Sequence, residues 1–136
     1  QPARAIAARV HVPKAGTADM ATNAVLDYGD GSYGIIDSSF ELPGRQGVEI
    51  VGENGTLTLP VPFTPGKSDT AAFIMKNGQM NEQSFSAVDQ YRLEVEHFAR
   101  CILTGQEPAL RLSETLENAA TIEAIYQAAG HDWPIM

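Results

Sequence analysis

AFIMKNGQMNEQSFSAVDQYRLEVEHFARCILTG, residues 72–105, contains the change of period on which the fold depends. Up to Phe85 the residues are β-prone on either side of Asn77-Gly78, a pair that accepts the positive φ angles of a tight hairpin turn. Beyond Ser86 the period becomes helical. Tyr91, Val95, Phe98, Ala99 and Ile102 fall at i, i+4, i+7, i+8 and i+11, one stripe of a helix. Arg92, Glu96 and Arg100 form a charged row on another face. The helix is expected to open on Ser86-Ala87-Val88-Asp89, with Ser86 as cap and Asp89 in the electropositive first turn. Gly105 ends it and Pro108 follows.

Two more hairpin signals lie upstream. Asp30-Gly31 joins Ala21–Tyr28 to Ser32–Phe40, and Asn54-Gly55 joins Val48–Val51 to Thr56–Leu59. Asn77-Gly78 joins Ala72–Lys76 to Gln79–Phe85. A first run, Arg4–Val12, alternates Ile6, Ala8, Val10 and Val12 against Ala5, Ala7, Arg9 and His11. Downstream, a second helix from Ser113 carries Leu116, Ala119, Ile122, Ile125, Tyr126 and Ala129, with Glu114 and Glu117 at its positive end. It stops at Gly130, with Pro134 beyond. Strands followed by helices predict an α+β fold rather than alternating βαβ units. The expected architecture is a mostly antiparallel sheet of about six or seven strands, with two C-terminal helices packed on one face.

The 136 residues match the size of one domain, and 43% of them are hydrophobic, enough for a packed core. Nine basic against 17 acidic side chains leave a net charge of −8, with no basic stripe, which excludes a nucleic-acid partner. No apolar run approaches the ~20 residues of a membrane span, so no membrane partner is expected. Cys101 is the single cysteine, which rules out an internal disulfide and a CxxC pair and suits a reducing cytoplasm. The chain starts at Gln1, which suggests an excised domain or a processed product.

The pattern holds no self-contained catalytic set. His11, His97 and His131 are scattered, without metal-ligand spacing, and no GxSxG elbow is present. His97 reads as a packed or solvent-facing residue, and Cys101 as a buried, inert thiol. Gly29, Gly31 and Gly34 flank a hairpin turn instead of leading into a helix, so they do not form a dinucleotide loop. Asp27, Asp30 and Asp37 around that hairpin read as solvated turn carboxylates. Pro60, Pro62 and Pro65 exclude an interior strand and stiffen a loop carrying Phe63, which either serves a binding surface or is one buried aromatic of a plain connector.

Residues 88–108 resemble the DQYRxxVEHFAxxxxxGxxP helix late in the glucose–fructose oxidoreductase and inositol dehydrogenase family (Gfo/Idh/MocA). Leu112-Ser113 through Ala124-Ile125-Tyr126 is similar to that family's closing helix. Asp37-Ser38-Ser39-Phe40 and the run from Val48 to Leu57 resemble its sheet strands. Pro62-Phe63-Thr64-Pro65-Gly66 is similar to a loop of the sugar (xylose-type) and dihydrodiol dehydrogenase branch.

The resemblance implies the C-terminal substrate-binding and dimerisation domain of an NAD(P)-dependent oxidoreductase of sugars or polyols. In that family NAD or NADP is held by an N-terminal Rossmann domain, whose motifs this chain lacks, so no cofactor is expected to bind here. The family's Lys-Pro motif is missing, since Lys14, Lys67 and Lys76 precede no proline, and its downstream histidine motif has no counterpart. No catalytic, cofactor-binding or metal-binding residue is therefore assigned. Gln90 and Tyr91 match the helix start that faces the cleft in the family, which marks them as substrate-binding candidates; Phe63 joins them by its place on the proline loop. For Tyr91 a core position at the head of the stripe is the competing reading.

Apolar side chains on both faces of the strands around Asp30-Gly31 (Tyr33 and Ile35 against Ile36 and Phe40) predict that both faces are covered. The expected partners are a second copy, in a homodimer through the open sheet face, and the missing Rossmann domain. The alternative function is a stand-alone, non-enzymatic interaction or scaffold module built on the same sheet.

Overall fold

The computed structural model describes residues 3–14 and 17–132; Pro134 lies outside them. Seven strands come first: β1 (Arg4–His11), β2 (Ala21–Asp27), β3 (Tyr33–Ser39), β4 (Val48–Gly52), β5 (Gly55–Leu59), β6 (Thr70–Lys76) and β7 (Gln79–Phe85). Two helices follow, α1 (Gln90–Thr104) and α2 (Leu112–Ala128). All pairings are antiparallel, so the α+β expectation holds. The strands divide into two sheets, β1-β2-β3 and β4-β5-β6-β7. Between them runs Leu42-Pro43-Gly44, where the proline has no N–H to continue a ladder. The chain forms two compact units: Gln1–Pro43 with Glu107–Met136, and Gly44–Gln106.

In the first unit α2 packs against β1. Val10, Ala24, Leu26, Ile125 and Tyr126 form its buried core, with Ala5, Ala8, Val12, Ile122 and Ala129 packed around them. Small side chains on both elements let the helix lie close to the sheet. The alternation expected for the first strand changes at Ile6. The register steps from Ala5↔Leu26 to Ala7↔Val25, a bulge that leaves Ile6 without a partner. One inserted residue reverses the facing of everything before it. Ala5 therefore joins Ala8 and Val10 on the core side, while Ile6 is exposed.

The second unit is a four-stranded meander in which Ala72 is buried. Its edge strand β7 is exposed along its length and largely polar (Gln79, Asn81, Glu82, Gln83, Ser84), a composition that discourages pairing with another chain. The cap of α1 is Asp89 rather than Ser86: its carboxylate accepts the Arg92 N–H at 3.0 Å. The helix closes at Gly105, whose left-handed conformation lets its N–H reach the Cys101 carbonyl. In the first unit α2 packs on the sheet through β1; in the second unit Tyr91, Val95, Phe98 and Ile102 of the α1 stripe are exposed.

Candidate functional site

The second unit brings the proline loop beside the start of α1. Leu59 ends β5 and Thr70 begins β6, so residues 60–69 form a loop whose three prolines restrict φ and remove three backbone donors. Gln46 ties this loop down from the segment before β4. Its Oε1 accepts from Phe63 N and Thr64 N, each at 3.1 Å, and its Nε2 donates to Thr64 Oγ1 at 3.1 Å. At the loop's far end Asp69 Oδ1 accepts from Ala87 N at 2.8 Å, which ties the loop to the segment that leads into α1.

These ties leave a cavity of about 530 Å³, lined by Thr64, Gly66 and Lys67 on the loop side and by Ala87, Val88, Asp89, Gln90 and Tyr91 on the helix side. A volume in this range is usual for small-molecule sites. The lining surface is mostly apolar, and among its residues Lys67, Thr64, Gln90 and Tyr91 carry an ammonium, a hydroxyl, a carboxamide and an aromatic ring. The Asp89 carboxylate is engaged as the helix cap, and no histidine or second carboxylate lines the cavity. The cavity supplies no acid–base pair.

Gln90 and Tyr91 both line this cavity. Tyr91 is 67% exposed, so it is not a core residue at the head of the stripe. Phe63 is 65% exposed and so is not the buried aromatic of a connector; it sits beside the lining residue Thr64 without itself lining the cavity. Sequence reading missed Lys67 and Gln46. Lys67 shares the stiffened loop with Phe63, which was the available signal; a glutamine in a turn-rich connection gave none.

Other reactive groups serve the structure. Cys101 is buried, with its Sγ 3.6 Å from His97 Nε2 one turn away on α1. Asp27 accepts from Gly29 N and pairs with Arg4 at 2.8 Å, and Asp30 accepts from Ser32 Oγ and Ser32 N. These bonds hold both carboxylates below the ordinary range, as befits turn braces. In the first unit Tyr126 donates to Asp19 Oδ1. Among the described residues no group of three or more His, Cys, Asp or Glu could hold a metal, and no helix is long and apolar enough to cross a membrane.

A dinucleotide does not fit these residues. Its pyrophosphate needs a strand, a glycine turn and a helix N-terminus in succession. Gly29 and Gly31 lie instead in the β2–β3 hairpin, and both helices follow the last strand.

Residues 4–136 match the family described as the oxidoreductase family, C-terminal alpha/beta domain. The chain is 31% identical over 112 residues to a D-xylose 1-dehydrogenase (NADP(+)) of Haloferax volcanii, covering 82% of this chain and 34% of that protein. A D-xylose 1-dehydrogenase [NADP(+)] of Haloarcula marismortui is 28% identical over 104 residues, covering 76% of this chain and 29% of that protein. The chain thus spans about a third of the length of these relatives. Among solved structures, a 3-ketoreductase from Actinomadura kijaniata in complex with TDP-benzene and NADP superimposes with a TM-score of 0.83 at 20% identity, over 96% of this chain and 42% of that one. An aldose-aldose oxidoreductase from Caulobacter crescentus gives 0.77 at 22% identity, over 96% and 39%. At these identities the structural likeness shows the shared fold.

Proposed function

Because the chain belongs to the oxidoreductase family as its C-terminal alpha/beta domain, we propose that it is the substrate-binding and dimerising part of an NAD(P)-dependent oxidoreductase of sugars or polyols. The cavity between the proline loop and the start of α1 carries this reading. A sugar presents hydroxyls around a ring whose C–H faces are apolar. Tyr91 offers an aromatic face for the ring, and Gln90, Thr64 and Lys67 offer the amide, hydroxyl and ammonium that hydroxyls need. The relatives that act on D-xylose make that sugar the first probe. Hydride transfer and proton removal fall to residues outside this chain, as does NAD(P) binding.

Titration of the chain with D-xylose, followed residue by residue by NMR, should give saturable shifts centred on Thr64, Lys67, Gln90 and Tyr91. A dissociation constant near 1 mM, about −4 kcal/mol, suits so open a site. Shifts centred elsewhere, or none, would overturn the assignment. NADP added alone should bind only weakly; a micromolar constant would show that the cofactor site had been misplaced.

The dimer rests on a separate observation. On β3 Tyr33 and Ile35 are 70% and 75% exposed, Ile36 is 40% exposed, and Phe40 just beyond the strand is 84% exposed. Apolar side chains on one strand call for a cover, and an isologous pairing is the commonest closed one. Sedimentation velocity should find a dimer as the smallest species. A clean monomer at high concentration would refute it, and a polydisperse smear would favour a Rossmann domain as the natural cover.

A further inference from the structure

We infer that Gln46 is a positioning residue for the sugar cavity, acting through the main chain of the proline loop; this rests on the reading of that cavity as the substrate site. One side chain supplies three hydrogen bonds to two consecutive residues. Its Oε1 closes the N–H groups of Phe63 and Thr64, and its Nε2 reaches Thr64 Oγ1. Thr64 lines the cavity, so the tie sets both the backbone of one wall and the direction of its hydroxyl. The first half of the loop has few other backbone donors by which to be held. Pro60, Pro62 and Pro65 carry none, which leaves Phe63 and Thr64 as the consecutive pair in the middle of the run.

The tie is worth more to the cavity than to the fold. Its bonds lie at exposed positions, so water replaces Gln46 at the freed N–H groups when the side chain is removed. What water does not replace is the single geometry. A carboxamide oxygen has two lone pairs at a fixed separation, and both N–H groups converge on it. A loop free to take several arrangements must be ordered again by each ligand that binds, which lowers affinity without touching a ligand contact.

The test uses the chain with Gln46→Ala and Gln46→Glu, measuring amide hydrogen exchange and D-xylose affinity on the same samples. Gln46→Ala should speed exchange at Phe63 and Thr64 and weaken sugar binding, each about tenfold, the equivalent of one hydrogen bond of ordinary strength. Protection along β4 and β5 should stay unchanged. Gln46→Glu keeps the double acceptor at the same reach and should restore protection at Phe63 and Thr64; it lacks the amide donor to Thr64 Oγ1, so sugar affinity should recover only in part. Unchanged exchange at Phe63 and Thr64 in Gln46→Ala would overturn the proposal, as would faster exchange with unaltered affinity. Uniform loss of protection in the β4–β5 ladder would also overturn it, by showing a structural role. Failure of the unsubstituted chain to bind sugar would sink the substrate reading alone, and the exchange rates would still decide whether Gln46 holds the wall.

Discussion

Gly55→Ala should cost the second unit more than about 4 kcal/mol, beyond the range of ordinary single substitutions. Gly55 opens β5 with φ at +151°, and an added Cβ would run into the backbone carbonyl of Met75 on β6, with Lys76 Cα 3.3 Å away. The obstacle is main chain, so no rotamer change relieves it. To admit the methyl, β5 must move off β6. That movement breaks the ladder that pairs Thr56 with Met75, Leu57 with Ile74 and Thr58 with Phe73. On β6, Ile74 and Met75 are already exposed and add no burial to compensate. Amides of β5 and β6 should therefore exchange about a thousandfold faster, and the unit's thermal midpoint should fall by roughly 15 °C or more. Gly29→Ala is the control. Gly29 also has a positive φ, +81°, but nothing lies within 4 Å of an added Cβ. It should lose only about 1 kcal/mol, the strain of the left-handed conformation. Equal losses at the two glycines would mean that backbone strain, and not the approach of β6, makes Gly55 irreplaceable.

This contrast shows where the sequence was legible. The Asp-Gly and Asn-Gly pairs located the three tight-turn hairpins, because the residues that tolerate positive φ are few. The pairs look alike as text, yet they differ in the molecule. Asn77 and Gly78 both take positive φ, +52° and +74°, whereas at the other Asn-Gly pair Gly55 alone does so. The difference comes from β6 passing behind Gly55, a contact between segments far apart in the chain that no local pattern encodes. The bulge at Ile6 was hidden for the same reason, since it is a property of the pairing and not of one strand. The helix start at Gln90 and Tyr91 was legible from the change of period and from the resemblance. Gln46 was not, because what brings it to the proline loop is hydrogen bonding to residues far along the chain and not local spacing.

Tyr126→Phe should destabilise the first unit by about 2 kcal/mol at neutral pH, the scale of a hydrogen bond to a charged group. Tyr126 lies in the core beside Leu26 and Val10, and its hydroxyl donates to Asp19 Oδ1 at 2.5 Å. Asp19 also accepts from Thr22 Oγ1 at 2.9 Å. The Tyr126 bond, helped by Thr22 and opposed by partial burial, holds the Asp19 carboxyl below the ordinary range. Burial first, then the neighbouring carboxylate, pushes the Tyr126 phenol up to about 12. These shifts set two pH windows of opposite sign. Asp19 is depressed in the folded state, so its contribution is present above an unfolded pKa of about 4 and is lost as pH falls through the folded value. Tyr126 is raised, so its contribution is complete below an unfolded pKa of about 10 and is lost as pH climbs to about 12. The stability difference between the two proteins should be flat from about pH 5 to 9 and shrink at both ends. Asp27 and Asp30 are depressed too, but they titrate alike in both proteins and cancel in the difference. Urea titrations at pH 2.5, 7 and 10.5, read through amides of β1 and β2, would measure it. A difference that stays constant from pH 7 down to 2.5 would show that the phenol–carboxylate bond is not what Tyr126 contributes, and that its ring packing is.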